Sequence, residues 1–360
     1  MNHRFLMLVA LTTAVLSGCA PSDERADAEG NGDMEAGSLA MPGEQHFRNL
    51  RQLTFGGENA EAYWAFDGSA LVYQARKPGM ECDQIFLLDL ESLESTEVST
   101  GAGRTTCSYF YPDGERILYS STHHHDAACP APPDMSMGYV WPIYDTYDIF
   151  TANLDGSDVR PLTETDGYDA EATVSPVGDR IVFTSVRDGD LDLYSMNLDG
   201  TDVRRLTDRV GYDGGAFYSP DGSQIIWRAH YPEAGAETEA YVSLLEEGLI
   251  RPGDLDIWVM DADGSNKRQV TDLPGANFAP HWHPSGDRIL FSSNHEDPAG
   301  REFEIYMVGL DGTGLTRITY SEEFDGFPVF SPDGRYLVFG SNRFNEGSND
   351  TNLFLAEWVD

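Results

Sequence analysis

Basic residues are what this chain of 360 residues most lacks. Its 23 Lys and Arg stand against 61 Asp and Glu, for a formal charge of −38, and lysine occurs only at Lys77 and Lys267. A surface that negative repels phosphate backbones and anionic headgroups, so nucleic acid is excluded as a partner. Long apolar runs are missing too: the strongest, residues 5–16, is too short to span a bilayer permanently. No G-x-S-x-G elbow, Gly-rich phosphate loop or H-E-x-x-H pair occurs. No catalytic residue or cofactor is therefore assigned. Cysteine is scarce, at Cys19, Cys82, Cys107 and Cys129. Beyond Cys19 this allows one disulfide and one leftover thiol.

What is present at the start reads as targeting. Arg4 precedes the apolar run, which ends in Leu16-Ser17-Gly18-Cys19. That ending resembles the lipobox of bacterial lipoproteins, which implies a signal peptide over residues 1–18 and lipidation of Cys19. Several acyl chains anchor firmly where one does not. Ala20 stands where an inner-membrane retention signal places Asp, so the outer membrane is the expected address, on its periplasmic side or its surface. Residues 19–46 are rich in Ala, Gly, Asp and Glu without hydrophobic periodicity, and are expected to form a flexible acidic tether.

The remainder, residues 47–360, is repetitive. An apolar strand, a Pro-Asp-Gly-type turn and a second apolar strand recur as WAFDGSALVY, YFYPDGERILY, TVSPVGDRIVF, FYSPDGSQIIW, HWHPSGDRILF and VFSPDGRYLVF. Each copy precedes a second hairpin, such as DLYSMNLDGTDVRRLT, whose Asp-Gly turn is a strong hairpin signal and which closes on Leu-Thr. Four short strands in six units predict an all-β, six-bladed β-propeller of four-stranded blades. The sixth unit lacks its fourth strand, and residues 49–54 (NLRQLT) resemble the missing piece, so an N-terminal strand is expected to close the ring. These repeats resemble the TolB-type propellers of the bacterial envelope over about residues 47–360. Unlike TolB, the chain is expected to carry a lipobox and no α/β domain ahead of the propeller. A hydrolase domain of the prolyl oligopeptidase kind is not expected after the last blade.

Function should sit at the propeller mouth, where loops between second and third strands gather. Four residues past the last aromatic of each second strand stand Lys77, His123, Arg187, Tyr231, His295 and Arg343, with Arg76 and His230 one place earlier in their own repeats. Two readings follow: local ties within each blade, or a basic ring suited to an anionic group. Asn59, Thr105, Asp169, Asp213, Asn277 and Asp325 begin the first strands and are read as backbone ties. Two places on, Glu61 and Glu171 should face the channel and pair with the basic ring. Two long insertions, 123–147 and 230–254, could meet above blade three. The second reads as a short helix with Tyr241, Leu244, Leu245 and Leu249 on one face, stopped before Pro252. Cys82, Cys107 and Cys129 all map to one sector. A Cys82–Cys129 disulfide would pin the first insertion, with Cys107 free.

The resulting expectation is an anchored, monomeric propeller that binds an envelope protein or an anionic ligand through His123, His125, His230 and the other mouth residues. The alternative is a metal-dependent propeller lyase or hydrolase acting on an anionic polymer, with His123, His125 and His230 holding zinc or a similar ion.

Overall fold

Each blade forms because its second strand sets an aromatic side chain directly opposite one on its third. In the computed structural model, which describes residues 39–345, 347–348 and 350–360, these pairs are Tyr73–Phe86, Tyr119–Phe150, Phe183–Tyr194, Trp227–Trp258, Phe291–Tyr306 and Phe339–Phe354. Their ring centroids lie 5.8–6.2 Å apart. All but Trp258 are buried, and each buried ring contributes roughly 1.5–3 kcal/mol. The six four-stranded sheets predicted from the repeats are all present. Their first strands are Glu58–Trp64, Thr105–Phe110, Asp169–Val174, Tyr212–Tyr218, Asn277–Trp282 and Asp325–Phe330.

The Leu-Thr ending of each unit has a local physical cause. The Thr or Ser hydroxyl accepts a hydrogen bond from a third-strand N–H: Ser99 from Ile85, Thr163 from Ile149, Thr207 from Leu193, Thr271 from Ile257 and Thr319 from Ile305, at 2.8–2.9 Å. In blade six the same bond, Leu353 N to Thr54 Oγ1 at 2.9 Å, comes from the opposite end of the chain. Strand Phe47–Gln52 pairs antiparallel with Asn352–Trp358 and closes the ring. Buried tryptophans then tie neighbouring blades together, Trp64 Nε1 to the Val329 carbonyl and Trp282 Nε1 to that of Phe217, each 3.1 Å.

The described part of the expected tether is not loose. Glu44 is buried and ion-paired to Arg343 at 2.8 Å, and His46 stacks on Trp358 at 4.8 Å. Packed chain therefore begins before residue 47. Cys19 and the signal segment lie outside the described residues. Among the described residues no helix is long and apolar enough to cross a membrane.

The insertions do meet. Trp141–Pro142 of the first pairs with Leu249–Ile250 of the second in a two-stranded antiparallel sheet. The helix runs Ala236–Glu246 and ends sooner than expected, because Gly248 takes φ +71° just past its C-terminus. Leu249 consequently belongs to the small sheet and not to the helix.

Candidate functional site

The six mouth positions do not converge. The chain turns back just past each second strand, so the residue there lands on the aromatic ring of its own third strand. Lys77 Nζ lies 3.7 Å above Phe86, and His123 lies 4.3 Å from Phe150. Arg187 lies 5.0 Å from Tyr194 and Tyr231 5.1 Å from Trp258. His295 lies 4.5 Å from Tyr306 and Arg343 5.6 Å from Phe354. Each is then tied within reach of its blade: Lys77 to Ser95, His123 to Ser121, His295 to Ser293, Arg187 to Asp169, Tyr231 to Asp213, and Arg343 to Asp325 and Glu44. Burial drives the His123 imidazole down to about 4, and lowers His295 as well, so neither carries charge at neutral pH. The basic-ring arrangement is therefore replaced by local ties. Physically, Lys77, Arg187 and Arg343 cap aromatic faces, and the two arginines also satisfy the buried acids Asp169, Asp325 and Glu44.

The proposed histidine ligands are also apart. His123 faces Phe150 and His125 Nε2 lies 3.6 Å from Asp148, while His230 Nδ1 bonds the Asp254 carbonyl at 3.0 Å on blade four. Among the described residues no three His, Cys, Asp or Glu are grouped to hold a metal ion. A three-imidazole site is thus not formed, because strands of different blades carry the donors.

The channel centre is where unusual chemistry collects. Every first strand breaks register at its middle, and the extra residue sits at positive φ: Glu61, Cys107, Glu171, Gly215, Ala279 and Phe327, at 49–58°. Five of the six are not glycine, and such a conformation costs on the order of 1 kcal/mol or more per residue. These bulges aim their side chains at a chamber of ≈ 30 Å³ on the axis, room for about two waters. Glu61 and Glu171 do line it, but neither pairs with the mouth cations. Glu171 pairs with Arg228 and accepts from Thr184 Oγ1 at 2.8 Å and Gly215 N at 3.1 Å. Glu61 accepts from the Cys107 thiol at 3.3 Å. Burial raises the Glu61 carboxyl and pushes the Cys107 thiol well up, which disfavours the reactive thiolate of this free cysteine. Burial opposes the Arg228 charge, but Glu171, Tyr212, Glu61 and Cys107 around it together outweigh this and raise its pKa.

Arg228 was not singled out from the sequence. It is the one cation inside the strand Gln224–His230, at a position where other blades place Gln74, Ser120, Thr184, Ser292 and Gly340. Its signal was the facing pair Gly214-Gly215. A Cβ at Gly215 would strike the Arg228 guanidinium, and one at Gly214 would strike Glu171 and Tyr212.

Above the chamber sits a lid. A disulfide joins Cys82 to Cys129, with Cα atoms 5.6 Å apart, and fixes the first insertion to blade one. Further along the same insertion, Trp141 stacks 5.3 Å from Arg228 and meets Tyr212 and Phe278 edge-on. The apolar faces of both insertions thus cover one another and close the channel. Between the lid, the helix end and the rim of blade three, a groove of ≈ 1030 Å³ stays open. Its lining mixes aliphatic side chains with acids. Asp190 at its edge accepts from Tyr241 Oη at 2.6 Å, holding the helix over blade three.

The family described as TolB beta propeller domain matches residues 139–239 and 235–349. Among curated proteins, the chain is 36% identical to an uncharacterized protein, Atu1656, of Agrobacterium fabrum, across 26% of this chain and 30% of that one. It is 32% identical to an uncharacterized peptidase, YuxL, of Bacillus subtilis, across 26% of this chain and 19% of that one. The chain thus spans less than a third of either relative. Among solved structures, a TolB of Agrobacterium tumefaciens superposes with TM-score 0.54 at 21% identity, over 84% of this chain and 91% of that one. An oligogalacturonate lyase in complex with manganese superposes with TM-score 0.52 at 16% identity, over 86% and 80%. Such identities establish a common fold. With six bulged, aromatic-paired blades and more than half of its length matched by the family pattern, the chain belongs to the TolB β-propeller family.

Proposed function

We propose that this protein is a lipid-tethered binding module of the bacterial cell envelope, and that it seizes a protein partner in the groove beneath its lid. One observation carries the reading: a rigid ring bears, on one face only, two long insertions pinned by a disulfide and a shared sheet over an open groove. Ordered loops on a rigid scaffold are where recognition concentrates. The lipobox at Cys19 supports outer-membrane anchoring, and the likeness to TolB proteins supports an envelope setting. The mouth cations are spent on local ties, which turns the reading away from an anionic ligand and toward a partner. A metal-dependent lyase is not favoured, because among the described residues no three His, Cys, Asp or Glu are grouped to hold a metal ion.

The test is photocrosslinking in intact cells. A photoreactive phenylalanine analogue replaces Val242, on the groove wall, or Val177, an exposed residue of a strand-one-to-two turn on the opposite face. A discrete protein adduct from position 242 and none from 177 is expected. Equal adducts, or none, would sink the proposal.

A further inference from the structure

The groove's chemistry specifies its occupant. Seven carboxylates line it against a single arginine, Arg205. That arginine is already committed, bonding Asp192 at 2.5 Å and lying 3.9 Å from Asp188. Asp188 and Asp190 are spent in turn on Tyr194 Oη at 2.7 Å and on Gly211 N at 2.9 Å. Asp145, Asp208, Glu246 and Glu247 belong to no ion pair among the described residues and stand at the rim. Between them lie aliphatic walls, and two of these residues, Val210 at 48% and Val242 at 41% exposure, face water. An apolar floor edged by unpaired acids matches a side chain with a long hydrocarbon stem and a cationic head.

Two internal occupants fail on charge. The chain's own segment ahead of the described residues carries Asp23, Glu24, Asp27, Glu29, Asp33 and Glu35 against Arg25 between residues 19 and 38. A second copy brings a net charge of −38 to the same surface. Both are repelled. The outer face of the small helix adds to the bias: Glu237 and Glu239 lie in its first turn and no basic residue in its last.

Resting on the reading of the groove as a partner site, we propose that it takes an extended basic segment of a partner protein, with Lys or Arg alternating with aliphatic residues. The stems of the cations lie on Val210, Val242 and Leu245, and their heads reach the rim acids. Charge complementarity of this kind sets specificity and association rate more than final affinity.

Fluorescence anisotropy of the full-length chain with a labelled peptide of alternating Lys and Leu tests this. The variant D208N/E246Q/E247Q is compared with E91Q/E94Q/E115Q, which removes the same charge from turns on the opposite face. Groove neutralisation removes three exposed ion pairs and should weaken binding about fivefold at physiological salt, and the control less than about twofold. The single change Val242→Ser, at an exposed site, should weaken binding without altering its salt dependence. Equal weakening by the two triple variants would reduce the effect to general attraction by a polyanion and overturn the inference, as would no weakening at all. A photocrosslinked partner at position 242 that contacts the groove through an acidic or uncharged segment would overturn this inference alone and leave the partner-site reading standing.

Discussion

Blade four holds a buried acid that has lost its counter-ion, and removing it should change how stability depends on pH. Asp169 and Asp325 begin their blades bonded to Arg187 and Arg343, but the equivalent Asp213 faces Tyr231. Asp213 is fully buried. Its Oδ1 accepts from Trp227 Nε1 at 2.6 Å and from Tyr231 Oη at 2.5 Å, while Oδ2 has no partner. Burial without a cation pushes this carboxyl from 3.8 up to about 7. A raised folded-state value means that the site's contribution is fully present below the unfolded value and lost as pH rises through about 7. Each pH unit in which only the folded state holds the proton is worth about 1.4 kcal/mol, so between roughly pH 5.5 and 8 the site should cost about 2 kcal/mol. Asp213→Asn keeps the acceptor for Trp227 and Tyr231 and does not titrate. Urea unfolding at both pH values should show the variant losing about 2 kcal/mol less than the parent over that range. Asp192 nearby, raised to about 6 by burial, titrates in both proteins, so the test reads the difference between the two pH profiles and not either profile alone. Parallel pH profiles for the two proteins would refute the reasoning.

Three further outcomes are expected. Replacing Cys19 with Ser should release the protein from the membrane fraction with its folding unchanged; persistence there in high salt would contradict lipid anchoring. Peptide mapping of the non-reduced protein should return one Cys82–Cys129 linkage, and Cys107 should resist alkylation until denaturant is added. Arg228→Met should cost about 3–5 kcal/mol by leaving Glu171 buried without its cation, and adding Glu171→Gln should restore most of that; a double variant as unstable as the single one would show that the pair is not coupled.

Most of the ring was legible because its devices repeat. The Pro-Asp-Gly-type turn and the Leu-Thr-type ending each solve a backbone problem in all six blades, the Asp-Gly turn does so in four, and repetition separates signal from chance. Even the split blade showed itself, since the motif missing at one end stood at the other. The mouth was harder to read. Counting four residues past an aromatic locates Lys77 or Arg187 along the chain, but says nothing of whether the backbone then turns toward the axis or back across its own third strand. It turns back, because an exposed aromatic face next to a sharp turn is best covered by the nearest long side chain. Arg228 was hidden for the opposite reason: it appears in one blade alone, and its cause, two glycines on the facing strand, is visible only once register is known. The register breaks at Glu61, Cys107 and Glu171 likewise have no composition in common, since one bulge hosts an acid, another a thiol and another Phe327.

The split blade also governs the order of events during synthesis. Strand Phe47–Gln52 emerges long before its partner Asn352–Trp358 is made. Until then the early strand is an unpaired edge, and blade six, whose Phe339 supports Phe47 at 5.4 Å, has no roof. The entropy of joining ends so far apart grows only with the logarithm of the intervening length, so closure is affordable once possible. What it cannot be is gradual. Five blades stacked without the sixth remain an open arc with two exposed sides, prone to pair with another copy. The ring therefore closes in a single step, and a nascent chain held short of the strand Asn352–Trp358 is a chain still waiting to become a propeller.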